Sequence, residues 1–175
     1  IAIVLQDVFL FAGSIAENVR LGDDLIDDDQ VAEALRLAQA DTFIERLAHR
    51  MDTPVAERGA TLSQGQRQLL SFARAIARRP SLFILDEATA SIDSETERQI
   101  QESIRRIAST CTSLIIAHRL STIRACDPIL VLEHGKMVES GSHESLLRRN
   151  GRYAALYRAQ FLKRNGDAGR SPGEE

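Results

Sequence analysis

Two adjacent carboxylates, Asp86 and Glu87, directly follow the apolar run Leu-Phe-Ile-Leu at 82–85. Apolar runs of this length are typical of strands buried on both faces, and successive side chains on a strand point in opposite directions. The two carboxylates could therefore do different work. In phosphoryl-transfer sites such an aspartate holds Mg²⁺, and a neighbouring carboxylate orients or deprotonates the attacking water. By itself the pair is also compatible with an ordinary strand that ends in polar residues.

A second chemical signal is the segment Leu-Ser-Gln-Gly-Gln at 62–66, which precedes an amphipathic run. Ser63 is a preferred N-cap residue, and a helix start presents free backbone N–H groups and a positive dipole end to an anion. Gly65 would let a phosphate approach the backbone closely. Ser-x-Gly alone favours an ordinary cap, but the five-residue pattern arises by chance with a probability of about 10⁻³. Together with Asp86 and Glu87, the segment points to nucleotide hydrolysis.

The elements that must position these residues alternate between strands and helices. Strands are predicted at 1–5, 82–86, 112–117, 129–132 and 136–139, and helices at 14–20, 31–38, 42–47, 64–79, 94–107, 120–125, 142–149 and 152–163. Ser14 and Ser94 each begin a Ser-x-x-Glu capping box, and His134-Gly135 is predicted to turn a hairpin. The alternation predicts an α/β fold with a mostly parallel sheet.

Composition limits the class of protein. The 175 residues are 43% hydrophobic and 27% charged, which is typical of one globular domain, and no apolar run approaches the length of a membrane helix. The net charge of -3, with arginines scattered among acids, gives little support for nucleic-acid binding. Cys111 and Cys126 lack metal or disulfide spacing, which fits a reducing cytosolic setting. The apolar start without Met favours a piece cut from a longer chain.

Beyond these signals, the chain resembles the nucleotide-binding domain of ATP-binding cassette (ABC) transporters from Ile1 to about Leu162. Residues 62–66 match the signature of the family, and residues 82–87 match its Walker B strand. Ser91-Ile92-Asp93 matches the D-loop. Gln6 matches the Q-loop glutamine, and His118 matches the switch histidine.

Two further segments resemble the exporter class of this family. Residues 4–19 look like the corresponding part of a cassette fused to a transmembrane domain. Residues 53–59 resemble the exporter X-loop, although Ala56 stands where glycine is more usual. Gln64 likewise replaces the commoner first glycine of the signature.

The resemblance implies an incomplete P-loop NTPase (RecA-like) fold, in which a mostly parallel sheet carries an inserted α-helical subdomain with the signature. Residues 1–8 and 81–162 would be the remainder of the catalytic core. Residues 9–80 would form the helical subdomain with the signature helix, and 163–175 a disordered tail.

For the nucleotide of the chain itself, the resemblance implies ATP and Mg²⁺ as cofactors. Glu87 would be the general base for the water that attacks the γ-phosphate. Asp86 and Gln6 would contact Mg²⁺, and His118 would touch the γ-phosphate. Taken alone, a Gln or His at a strand end is more often a structural hydrogen-bonding residue.

The resemblance also implies two protein partners. One is a second ABC nucleotide-binding domain, in a head-to-tail homo- or heterodimer whose partner ATP would contact the signature residues Ser63, Gln64, Gly65 and Gln66. Ser91 and Asp93 of the D-loop would lie at that interface. The other is a transmembrane domain, contacted through Phe9, Phe11 and the Thr53-Gly59 segment. This arrangement would place the chain on the cytoplasmic face of a membrane.

The phosphate-binding loop of the family, Gly-x-x-x-x-Gly-Lys-Ser/Thr, does not occur in the 175 residues. Gly135-Lys136 is the only Gly-Lys pair, and it lacks both the upstream glycine and the hydroxyl residue. In the family, the strand before this loop lies between strands that correspond to 112–117 and 129–132. We therefore expect a gap in the sheet there, and an isolated chain that cannot hydrolyse ATP.

Other functions stay open. A soluble, non-transport ABC ATPase is one alternative, and a truncated chain that only donates its signature is another. The apolar segment 9–11 and the segment 53–59 favour transport, because they resemble surfaces that dock to transmembrane helices. A serine protease that uses Ser63, His118 and Asp86 would lack the usual strand-turn-helix around its nucleophile. A zinc site would lack the expected ligand spacing.

Overall fold

The computed structural model describes residues 1–86, 92–117 and 120–167. The candidate site residues Glu87, Ser91 and His118 lie outside these residues. The strands are β1 (Ala2–Val4), β2 (Gly13–Ser14), β3 (Pro54–Val55), β4 (Leu82–Asp86), β5 (Thr112–Ile116), β6 (Ile129–Glu133) and β7 (Lys136–Gly141). The helices are α1 (Ile15–Arg20), α2 (Asp28–Leu37), α3 (Asp41–Ile44), α4 (Gln64–Ile76), α5 (Ser94–Ala108), α6 (Leu120–Arg124), α7 (His143–Arg149) and α8 (Arg152–Asp167), with short 3₁₀ turns at Arg50–Asp52 and Glu57–Gly59.

The main sheet has three parallel strands in the order β1-β4-β5, which confirms the predicted α/β class. Val4 of β1 pairs with Leu85 of β4, and Asp86 at the end of β4 pairs with Ile116 of β5. Because the strands are parallel, their carboxyl ends meet at one edge of the sheet. The polar residues that follow β1 and β4 are therefore neighbours in space.

The sequence predicts that these strands are buried on both faces, and in the structure one face is buried. Phe83 and Leu85 are fully buried in the core shared with α4 and α5. On alternate positions, Ile3, Leu114 and Ile116 are about half exposed. An apolar run shows that a face can be buried, but whether a second layer covers it depends on tertiary packing.

Helices α1, α2 and α4 pack together in the same core, and side-chain caps define where each begins. Ser14 and Glu17 form the predicted capping box of α1, and Asp27 caps α2 in the same way through Gln30. The prediction of Ser94 as the cap of α5 is wrong, because Asp93 is the cap. An aspartate accepts a backbone N–H at least as well as serine does, so the one-residue shift costs nothing.

Clustering of contacts divides the chain at residue 117 into two compact units. The second unit contains the antiparallel hairpin of β6 and β7, turned as predicted at His134 and Gly135, which both have a positive φ. Its core comprises Ile129, Val131, Leu146 and Tyr153.

Strand β5 belongs to the three-stranded sheet and β6 to the hairpin. The expected gap between these two strands stays a prediction. The predicted boundary between a catalytic core and a helical subdomain stays a prediction.

Helix α8 continues to Asp167, beyond the predicted start of a disordered tail at residue 163. None of the helices in the described parts of the chain has the length and apolar character needed to cross a membrane.

Candidate active site

Gln6 lies two residues after the carboxyl end of β1, and Asp86 is the last residue of the paired strand β4. Asp86 is half-buried and Gln6 is exposed, so both side chains can be reached from solvent. In open parallel sheets, ligands bind in the crevice at this edge. Glu87 directly follows β4 in the sequence and His118 comes two residues after the end of β5, but both lie outside the described residues.

The oxygens of Asp86 and Gln6 fit a magnesium ion. Mg²⁺ prefers oxygen ligands and is usually held by one or two carboxylates together with substrate phosphates. Within residues 1–86, 92–117 and 120–167, no group of three or more His, Cys, Asp or Glu side chains could hold a metal ion. Carboxylate and amide oxygens such as those of Asp86 and Gln6 are the ligand type that Mg²⁺ takes when phosphates complete its coordination.

The signature segment forms the first turn of α4. Ser63 has extended backbone (φ -64°, ψ 160°) and its Oγ accepts the N–H of Gln66 at 3.2 Å. The Oε1 of Gln66 accepts the N–H of Ser63 at 2.9 Å, which completes a capping box. This second role of Gln66 was not predicted, although the Ser-x-x-Gln spacing is its signal.

The four predicted signature residues differ in their access to a ligand. Ser63 and Gln64 are exposed, Gln66 is half-buried, and Gly65 is buried. The first N–H groups of a helix have no partner within the helix, and the dipole makes this end positive. An anion could therefore contact Ser63 and the backbone around Gln64. Gly65 faces inward, toward Thr96 of α5.

Asp93 of the predicted D-loop is exposed and caps α5. Its Oδ1 accepts the backbone N–H of Thr96 at 2.9 Å. Hydrogen bonds from the backbone and side chain of Thr96 lower the pKa of Asp93. The carboxylate is thus ionised and fixed in direction at the start of α5.

Asp93 should make folding stability depend on pH in acid. Because its pKa is lowered on folding, its contribution is fully present above the ordinary aspartate pKa of about 3.9 and is lost as the pH falls through the lower folded value. Asp93→Asn keeps a capping acceptor but removes this titration. The unfolding free energy, measured by urea titration between about pH 2 and 7, should therefore fall less steeply in acid for the variant. Asp24→Asn, at an exposed position before α2, is the control; equal acid slopes for Asp93→Asn and the unchanged chain would contradict the assignment.

The two segments predicted to contact a transmembrane domain lie side by side. Strand β2, which follows Phe11, pairs antiparallel with β3 in the segment 53–59. The N–H of Arg58 also donates to the carbonyl of Leu10 at 2.9 Å. Phe9 and Phe11 are 43% and 51% exposed, and their rings meet edge to face at 5.0 Å. Their juxtaposition forms one surface with exposed aromatic rings.

Arg74 of α4 contacts the segment that carries Phe9 and Phe11, and this role was not predicted from the sequence. Its guanidinium donates to the carbonyls of Phe9 and Asn18 at 2.8 Å each, and to Asn18 Oδ1 at 3.0 Å. It also lies over the Phe11 ring at 5.8 Å. Burial lowers the pKa of Arg74. The only sequence signal was a cation among the apolar positions of α4.

Comparisons with known proteins agree with this geometry. Residues 1–90 match the sequence profile described as ABC transporter. The chain is 52% identical over 92% of its length to the ABC transporter ATP-binding protein YknV of Bacillus subtilis, and 48% identical over 92% to the ATP-dependent lipid A-core flippase of Chromohalobacter salexigens. It covers 27% and 28% of those proteins, so it spans about a quarter of their length.

Among solved structures, a bacterial Atm1-family ABC exporter with ATP bound superposes with a TM-score of 0.80 at 40% identity. The match covers 99% of this chain and 29% of the exporter chain. The profile match over half of the chain and the arrangement of signature and sheet edge lead to one conclusion: the chain belongs to the ABC transporter family.

Proposed function

We propose that these residues are part of the ATP-hydrolysing domain of an ABC exporter. The observation that carries the proposal is the placement of two half-sites. The signature lies at the capped start of α4, and Gln6 and Asp86 lie at the carboxyl edge of the parallel sheet. The resemblance to a flippase and to an exporter with ATP bound supports export as the function that ATP hydrolysis drives.

At the sheet edge, Asp86 and Gln6 would hold Mg²⁺ on the phosphates of ATP. Bound there, the ion would neutralise charge that develops on the phosphates during transfer. Glu87 would accept a proton from the attacking water, and His118 would contact the γ-phosphate. Separate tasks for Asp86 and Glu87 are what the sequence predicts, because adjacent residues at the end of a strand would point to opposite sides.

The signature would act on a nucleotide held by a second nucleotide-binding domain. Ser63 can donate its hydroxyl to a phosphate oxygen while Oγ accepts from Gln66, because a hydroxyl both donates and accepts. Gln64 is exposed beside it. Asp93 and Ser91 of the D-loop would lie at the interface of this head-to-tail dimer.

The surface formed by Phe9, Phe11 and residues 53–59 would contact the transmembrane domain of the exporter. Two exposed aromatic rings beside a strand pair are suited to receive a helix end from a partner. Such contacts would place these residues on the cytoplasmic face of the membrane and would transmit closure of the dimer to the transport pathway.

Nucleotide titration tests the proposal. The 175-residue chain lacks the Gly-x-x-x-x-Gly-Lys-Ser/Thr loop, so it should show no saturable binding of a fluorescent ATP analogue with Mg²⁺ at concentrations up to about 1 mM. The complete polypeptide that contains these residues should bind the analogue and hydrolyse ATP. Tight binding by the 175 residues alone would contradict the expectation that ATP binding needs the phosphate-binding loop. A complete protein without ATPase activity would overturn the proposed function.

A further inference from the structure

A neighbouring side chain, and not the backbone conformation, makes glycine necessary at position 65. It lies in the first turn of α4 without a positive φ, in a conformation that alanine adopts readily. A Cβ atom built on Gly65 would lie less than 3.0 Å from Thr96 Cγ2, closer than real Cβ atoms come. It would also lie 3.3 Å from Thr96 Cβ and 3.5 Å from Ile92 Cγ2. The starts of α4 and α5 are thus in direct contact at this glycine.

The methyl group of Thr96 cannot easily rotate away from Gly65. The N–H of Thr96 donates to Asp93 Oδ1 at 2.9 Å, which fixes the backbone of Thr96 in the first turn of α5. A β-branched side chain in a helix has few accessible χ1 rotamers. The fixed backbone and the restricted χ1 together hold the methyl against α4.

We propose that Thr96 is a positioning residue that sets the signature relative to the D-loop through this methyl contact with Gly65. The inference rests on the proposed function for its consequence: the signature would serve the partner's nucleotide, while Asp93 lies at the dimer interface. A shift of Asp93 would move Thr96 and, through Gly65, the start of α4. Within one chain, the contact therefore connects the signature, which would serve the partner's nucleotide, to the D-loop at the dimer interface.

The test measures the effect of Gly65→Ala in two backgrounds of the complete protein. Thr96→Ser removes the methyl and keeps the hydroxyl. With Thr96 unchanged, Gly65→Ala should lower the kcat/KM of ATP hydrolysis by about tenfold or more, because overpacking displaces the helix start. In the Thr96→Ser background, the same change should cost at least about fivefold less than with Thr96 unchanged, since the methyl that it overpacks is gone and alanine is otherwise favoured in a helix.

Thr96→Val is the matched control, because it keeps both branches at Cβ but loses the hydroxyl. In that background Gly65→Ala should remain as harmful as with Thr96. If Gly65→Ala has no effect, the Thr96 methyl does not constrain the start of α4 and the proposal is wrong. If the loss is the same in the Thr96→Ser background, Gly65 acts independently of that methyl, which also contradicts the proposal. Equal rescue by Thr96→Val would overturn it as well, because the methyl would then not matter.

Hydrogen exchange gives a measurement that does not depend on ATPase activity. The N–H of Gln66 bonds to Ser63 Oγ, and that of Arg67 to the Ser63 carbonyl at 3.0 Å. Gly65→Ala should speed exchange in the peptide that contains them about tenfold, and Thr96→Ser should restore protection. If the complete protein proves inactive, the proposed function fails while this measurement still decides the contact. If Gly65→Ala does not accumulate, recovery of folded protein by Thr96→Ser supports the proposal and failure to recover contradicts it.

Discussion

Replacement of Arg74 by alanine is expected to destabilise the chain by about 2–4 kcal/mol. The guanidinium donates to two main-chain carbonyls and one side-chain oxygen, on Phe9 and Asn18. Asn18 is itself buried, so its backbone carbonyl would lose the Arg74 donor without full access to water, although Asn18 Oδ1 would keep the N–H of Phe11 at 2.9 Å. Each unsatisfied buried group costs about 1–3 kcal/mol. Urea unfolding monitored by circular dichroism measures the difference.

Two variants make this experiment specific. Arg74→Lys keeps the charge but replaces a planar guanidinium with a single ammonium. We therefore expect its free energy of unfolding to lie between those of the unchanged chain and Arg74→Ala. Arg78→Ala removes an arginine one turn later, whose ion pair with Asp23 at 3.2 Å is partly exposed. That pair should contribute no more than about 1 kcal/mol. Equal losses for Arg74→Ala and Arg78→Ala would show that the buried bonds of Arg74 do not stabilise the fold.

The second large effect should come from Glu87→Gln in the complete protein. If Glu87 accepts the proton of the attacking water, the amide cannot replace it, and kcat should fall by about 10²–10⁴-fold. ATP affinity should change little, because glutamine has the same shape and keeps an acceptor oxygen. Steady-state hydrolysis together with an equilibrium binding assay separates these two quantities.

Glu95→Gln is the control for this experiment. Glu95 is an exposed glutamate on α5 whose partner is Arg98 at 2.8 Å, three residues along the same helix. Its replacement should leave kcat within about twofold, since exposed ion pairs contribute little. A Glu87→Gln protein that keeps its hydrolysis rate would remove Glu87 from the role of general base.

Local elements were predictable because their signals are local. Ser14 and Glu17 lie within one turn of each other, and so do Ser63 and Gln66, so their capping chemistry can be read without knowledge of the fold. The hairpin at His134-Gly135 depends on two residues that tolerate a positive φ. The cap of α5 was misplaced by one residue, because Asp93 and Ser94 are both good caps and only the backbone geometry chooses between them.

The amino-acid sequence by itself determined the family, the α/β class and the types of residue at the sheet edge and in the signature. These follow from short motifs and from periodicity. Only the tertiary structure decided that one sheet face is exposed, that residues 53–55 pair beside Phe11, that Arg74 reaches Asn18 across 56 positions, and that Gly65 meets Thr96. The physical reason is that such contacts join residues far apart in the chain, and close packing, not local preference, selects their partners.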